Sequence, residues 1–73
     1  MRNVDDDLAR HEGVKADLRR RGLSFSAVAR QLGVNGTTVS LVSRGRNRSR
    51  RIERALAIVL ETTPEHLFPE RYP

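Results

Sequence analysis

The sequence predicts an all-α fold, a single small domain of four to five short helices with a helix-turn-helix. Apolar residues recur at intervals of three and four along most of the chain, which is the period of an amphipathic helix. Glycines separate these stretches, and side chains that cap helix N-termini precede them, namely Ser24, Asn35, Ser49 and Thr63. A chain of 73 residues is long enough for one domain with a thin core.

The N-terminal segment shows no helical apolar stripe. We therefore expect residues 1–10 to be a loose arm or a frayed first turn, and the domain itself to occupy residues 11–73. The first helix is predicted over residues 11–21, because Val14 and Leu18 lie four residues apart on one face and a glycine follows.

Residues 25–44 predict two short helices joined by one tight turn at Gly33. A small residue, Ala29, stands where these two helices would come closest. The spacing is typical of a helix-turn-helix, whose second helix can enter the major groove of DNA. The predicted inward positions are Val28, Leu32, Val34, Val39 and Val42.

The remaining residues predict one long and one short helical segment. A helix over residues 50–61 follows from an apolar stripe formed by Ile52, Leu56, Val59 and Leu60. A last helical turn opening at Pro64 would fold Leu67 and Phe68 back onto the core. Residues 70–73 are expected to trail off.

Positive charge is concentrated in the middle of the chain. Residues 19–54 contain ten arginines and one acidic residue, whereas the segments on either side contain more acidic than basic residues. Thirteen of the fourteen basic residues are arginine, whose planar fork suits phosphate groups and guanine edges. This distribution indicates a face that binds a polyanion.

Other classes of function find no support in the sequence. Cysteine is absent, which excludes a disulfide scaffold and a thiolate metal site. His11 and His66 have no second ligand at metal spacing, and no Ser, His and Asp set is arranged for catalysis. No apolar run could cross a bilayer. We expect a cytoplasmic protein that is not an enzyme and has no metal or cofactor.

The predicted DNA contacts lie on and around the third helix, whose first turns would face base edges. Thr37 and Ser40 can donate or accept a hydrogen bond, and Leu41 can touch a thymine methyl group. Arg44 can reach a guanine or a phosphate. The full predicted set is Ser24, Ser26, Asn35, Gly36, Thr37, Thr38, Ser40, Leu41, Arg44, Arg46, Asn47 and Arg48.

Several of these residues have a purely structural alternative. Asn35 is favoured as a helix cap over a base reader, and Thr38 as a phosphate or backbone partner. Gly36 either lets DNA approach the backbone or only tolerates the turn. A run of arginines over residues 44–51 could be a solvated loop, but beside a recognition helix we favour contacts with phosphates. For the arginines at 19–21 we favour a structural or merely solvated role, since cations are also favoured at a helix C-terminus.

From about Val14 to Tyr72 the sequence resembles the Ner family of small repressors from Mu-like transposable phages and their bacterial Ner-like relatives. The resemblance is carried by LRRRGLSFSAVARQLGVNGTTVSLV, by RRIERALAIVLE and, most tellingly, by the ending TTPEHLFPERYP. The first of these segments also suits the broader lambda-repressor-like helix-turn-helix class. Family members carry Trp where this chain has Phe68, a Trp-His pair where it has Ala9-Arg10, and often Pro where it has Gly36.

The resemblance implies an all-helical domain that binds double-stranded DNA and represses promoters of early or transposition genes. By position, it implies DNA contacts by Thr37, Thr38, Ser40, Leu41 and Arg44. The leading prediction is thus a sequence-specific DNA-binding regulator, associated with the nucleoid of a host bacterium, monomeric in solution and pairing on DNA. The alternatives are a helix-turn-helix module that binds an acidic protein and a non-specific nucleic-acid binder.

Overall fold

The computed structural model describes the backbone of residues 4–72 and the side chains of residues 6–72. Within these residues five α-helices and one 3₁₀ helix are present and no strand occurs, so the predicted all-α class is confirmed. The elements are α1 (Val4–Arg20), α2 (Phe25–Leu32), α3 (Gly36–Ser43), α4 (Arg50–Val59), α5 (Pro64–Leu67) and the 3₁₀ helix η1 (Pro69–Arg71). None of the described helices is long and apolar enough to span a membrane.

The hydrophobic core lies between α1, α2, α3 and α4, and α3 packs against each of the other three. The inward positions predicted on α1 are confirmed, as are most of those on the other helices. Leu32, Val34 and Val59 are only partly buried and pack against the edge of the core. The buried cluster contains Val14, Leu18, Val28, Ala29, Val39, Val42, Ile52, Leu56, Leu60 and Phe68.

The four predicted N-caps are confirmed. Asn35 Oδ1 accepts a hydrogen bond of 2.8 Å from the Thr37 amide. The hydroxyls of the other three caps accept bonds of 3.1–3.2 Å from the amide three residues later. Each such bond satisfies one of the donors that a helix start leaves unpaired, and stabilises the fold by about 0.5–2 kcal/mol. The serines and threonine that cap in this way are Ser24, Ser49 and Thr63.

The turn between α2 and α3 is a Schellman motif centred on Gly33. This residue has φ +70° and ψ +31°, the left-handed conformation that glycine adopts without a steric penalty. The Gly33 amide donates to the Arg30 carbonyl at 3.3 Å, and the Val34 amide donates to the Ala29 carbonyl at 3.0 Å. The turn predicted from Gly33 is therefore confirmed.

The N-terminal segment was predicted wrongly, because α1 begins at Val4 and includes residues 4–10. The N-terminal half of α1 has no apolar stripe, and polar contacts attach it to the rest of the domain instead. The Arg10 guanidinium lies 4.7 Å from the centre of the Phe68 ring and donates to Glu70 Oε2 at 2.7 Å. Arg10 Nε also donates to the Ser43 carbonyl at 3.3 Å. Residues 1–3, the rest of the predicted arm, lie outside the described residues.

The C-terminal residues do not trail off as predicted, because Arg71 and Tyr72 bond Glu53 of α4 and Glu70 pairs with Arg10 of α1. The side chains of Arg71 and Glu53 are 4% and 1% exposed, and Arg71 Nη1 donates to Glu53 Oε2 at 2.8 Å. The Tyr72 hydroxyl donates to Glu53 Oε1 at 2.7 Å, and this bond raises the pKa of Tyr72. The buried carboxylate is thus satisfied by two donors from the last residues of the chain.

Replacing Arg71 should reveal how much its buried ion pair with Glu53 stabilises the fold. Arg71→Ala leaves the Glu53 carboxylate buried with one donor fewer, and we expect it to lower the free energy of unfolding by about 3 kcal/mol. Arg54→Ala, at an exposed position of α4 next to Glu53, should change the free energy of unfolding by less than about 0.5 kcal/mol. Urea denaturation measures both, and equal stabilities for the two variants would contradict a buried ion pair.

His11 links α1 to α2 and α3 inside the domain. Its Nδ1 shares a hydrogen bond of 3.0 Å with the hydroxyl of Ser43, which is fully buried. Its ring stacks on Phe25 with a centroid distance of 5.2 Å. Burial lowers the pKa of His11 below the usual 6.5, and the nearby Arg44 charge acts in the same direction.

The lowered pKa of His11 predicts a loss of stability on mild acidification. Below about pH 6.5 the unfolded chain takes up a proton that the folded chain resists, so the free energy of unfolding should fall as the pH drops from 6.5 towards the folded-state pKa. His11→Gln should remove this part of the pH dependence of the free energy of unfolding. His66→Gln, at an exposed position, should retain it. Denaturation series at several pH values compare the three proteins, and identical slopes would refute the prediction.

Candidate nucleic-acid interface

Helix α3 divides cleanly into a buried and an outward side. Val39, Val42 and Ser43 are fully buried against the rest of the domain. Thr37 and Arg44 are exposed, and Thr38, Ser40 and Leu41 are half-buried. The residues predicted to contact bases therefore lie away from the core, at the surface of the domain.

The N-termini of α2 and α3 lie against each other at Gly36. A Cβ atom at this position would lie 3.3 Å from Ser26 Oγ and 3.5 Å from Ser26 Cα, so the missing side chain makes room for close helix packing. Neither sequence interpretation of Gly36 anticipated this role. The contact places Ser26, which is exposed, beside the first turn of α3.

Two residues of the predicted set have part of their hydrogen-bonding capacity committed to caps. Ser24 Oγ accepts from the Ala27 amide, and Asn35 Oδ1 accepts from the Thr37 amide. The favoured interpretation of Asn35 as a cap is thus confirmed. Both side chains are exposed, and the Ser24 hydroxyl and the Asn35 amide nitrogen retain their donor hydrogens.

A basic loop, residues 44–49, follows α3. Gly45, with φ +79°, ends the helix, and the Arg46 amide donates to the Leu41 carbonyl at 2.9 Å. Arg44, Arg46 and Arg48 are exposed and form no ion pair with any described residue. Their guanidinium groups are therefore available to an external anion.

The conformation of the basic loop is supported from inside the domain. Arg71 Nη1 donates to the Asn47 carbonyl at 2.9 Å while it also bonds Glu53. The Ser49 amide lies 3.5 Å from Glu53 Oε2. Sequence reasoning missed Glu53 as a structural residue, although it is the single acidic residue among ten arginines in residues 19–54.

Other arginines of the basic centre have structural partners. Arg51, which the sequence analysis placed on phosphates, donates to the Leu32 carbonyl at 2.6 Å and so caps the C-terminus of α2. Arg21 bonds Glu61 and Asp17, which raises its pKa, and it also donates to the Val59 carbonyl. The structural role favoured for Arg21 is confirmed. For Arg51 the structure adds a structural role that the sequence did not predict, because its guanidinium stabilises the end of a helix.

The arrangement suits recognition of an anionic polymer. Among the described side chains, those of residues 6–72, no group of three or more His, Asp or Glu is placed to hold a metal ion. The outward side of α3 and the basic loop that follows it combine hydroxyl groups, one aliphatic side chain and several arginines, which are the groups that read base edges and bind phosphates.

Comparison with known proteins agrees with this chemistry. Residues 9–73 match the family described as winged helix-turn-helix DNA-binding. Comparisons with curated proteins and with solved structures found no match. Since residues 4–72 contain no strand, they form no β-hairpin wing. The match extends over nearly the whole chain, and the protein belongs to the winged helix-turn-helix DNA-binding family.

Proposed function

We propose that this protein is a sequence-specific transcriptional regulator that binds double-stranded DNA, and that it acts as a Ner-like repressor of early or transposition genes in a phage or prophage. The observation that carries the proposal is the surface formed by α3 and the basic loop. Uncommitted polar side chains of α3 and unpaired arginines of the loop adjoin each other there. Family membership supports DNA as the ligand.

In this proposal α3 is the recognition helix and lies in the major groove. Thr37 and Ser40 bond base edges, and Leu41 contacts a thymine methyl group. Arg44, at the end of α3, bonds a guanine or a phosphate. Its exposure and its lack of an ion pair with any described residue support that role.

The basic loop supplies most of the affinity by binding phosphates. Arg46, Asn47 and Arg48 are exposed, and the bond from Arg71 to the Asn47 carbonyl holds the loop against the domain. A loop that is already ordered loses less conformational entropy when it binds. Ser24 and Ser26, at the start of α2, add polar contacts near the other end of α3.

The biological setting follows from the resemblance to Ner-like repressors. That resemblance includes the C-terminal segment, in which Arg71 and Tyr72 satisfy the buried Glu53. We propose a monomer in solution that pairs on its operator in the nucleoid of a host bacterium. Selection of bound fragments from random duplex DNA would yield the operator, and the symmetry of the recovered site would report how many copies bind.

The basic loop should set the salt dependence of binding. We expect Arg46→Gln and Arg48→Gln each to lower the slope of log K against log salt by about 0.9, because each removes one phosphate contact and its released counterion. The loss of affinity should be equal on all sequences. Arg21→Gln is the matched control and should keep the slope, since the charge of this arginine is already paired with Glu61 and Asp17. Unchanged slopes for both loop variants would show that the basic loop does not contact the DNA phosphates.

The outward hydroxyls of α3 should set sequence preference instead. Ser40→Ala and Thr37→Ala should reduce discrimination at one base pair each by about 1–3 kcal/mol and leave the salt slope unchanged. Selected-fragment sequencing of each variant measures this directly. Equal affinity of the wild-type protein for every duplex would indicate a non-specific binder, and no binding at low salt would indicate a protein-interaction module.

A further inference from the structure

A groove between α1 and the start of α2 has two cationic side chains at its rim. Lys15 and Arg19 lie four residues apart, on the same side of α1, and both are exposed. The buried Leu18 and the half-buried Phe25 form the apolar floor, and Ser24 and Ser26 also line the groove. We propose that Lys15 and Arg19 bind a phosphate of the DNA backbone, an inference that rests on the proposed function.

Ion pairing separates these two residues from the other cations of the same helix end. Arg20 pairs with Asp17 at 3.3 Å, and Arg21 pairs with Asp17 and with Glu61. Lys15 and Arg19 form no ion pair with any described residue, although Glu12 lies next to them. Like charges four residues apart on a helix repel each other, and an anion bound between them removes that repulsion.

The groove is large enough to bind a single chemical group but too small to enclose a drug-sized molecule. Its volume of about 220 Å³ is below the roughly 300–1,000 Å³ of pockets that enclose drug-sized ligands. A phosphate that belongs to a larger polymer needs only a shallow seat, with its remaining atoms outside. The exposed cations and the nearby serine hydroxyls are the groups that bind DNA phosphates.

The position of the groove relative to α3 identifies the polymer. Ser26 lines the groove and contacts Gly36, the first residue of α3, so the surface is continuous with the N-terminus of the proposed recognition helix. The basic loop lies at the opposite end of α3. Phosphate contacts at both ends of α3 would therefore flank the base contacts that this helix makes in the proposed function.

The test compares the salt dependence of binding for charge-removing variants. The probes are a duplex carrying a selected site and a duplex of random sequence. Because the two cations share one phosphate, the double variant Lys15→Gln/Arg19→Gln should lower the slope of log K against log salt by about 0.9 on both duplexes. The ratio of Kd at 200 mM salt to Kd at 50 mM salt then falls roughly threefold. Lys15→Arg keeps the charge and should retain the wild-type slope.

Arg20→Gln is the matched control, because this neighbour has the same charge and is already paired with Asp17. Its slope should equal that of the wild-type protein. A wild-type slope for the Lys15→Gln/Arg19→Gln double variant, while Arg46→Gln lowers the slope, would overturn the inference and leave the proposed function intact. A wild-type protein that does not bind either duplex at low salt would overturn the proposed function, and this inference with it.

Discussion

The hydrogen bonds to the buried carboxylate of Glu53 are the interactions on which the rest of the structure depends. This carboxylate accepts hydrogen bonds from Arg71 and Tyr72 at the end of the chain, and it lies close to the Ser49 amide at the start of α4. Arg71 also bonds the Asn47 carbonyl. One satisfied charge thus connects the C-terminus, α4 and the basic loop. An unpaired carboxylate at this depth would be strongly destabilising, so the three segments must assemble together.

A second polar cluster adjoins the first, because Glu70 Oε2 lies 2.7 Å from Arg10 Nη1 and 3.6 Å from Arg71 Nε. Arg10 reaches from α1 to the Ser43 carbonyl and to Glu70, and His11 bonds the Ser43 hydroxyl. The two contacts with Ser43 are made at the C-terminal end of α3. In a domain with a thin core, such bonds supplement apolar burial and fix the helix that carries the proposed base contacts. The outward side of α3 can then carry polar groups whose hydrogen bonds the fold does not require.

Charge by itself is a poor guide to the binding surface of this protein. Arginines that stand close together in the sequence divide into two groups. Members of one group, including Arg21, Arg51 and Arg71, bond carbonyls or carboxylates of the domain. Members of the other, such as Arg46 and Arg48, are exposed and form no ion pair with a described residue. The second group supplies the affinity in the proposed function, because each of its members can exchange counterions for a phosphate.

The sequence alone determined the features that depend on near neighbours: the apolar stripes of α2 and α4, the N-caps such as Ser24 and the turn at Gly33. These features are governed by interactions over a few residues, so their pattern is local. Only the tertiary structure decided where α1 begins, whether the last residues pack and which arginines remain unpaired. The responsible bonds join distant positions, as Arg10 joins Glu70 across 60 residues. Such pairing depends on how the helices pack, which no local pattern contains.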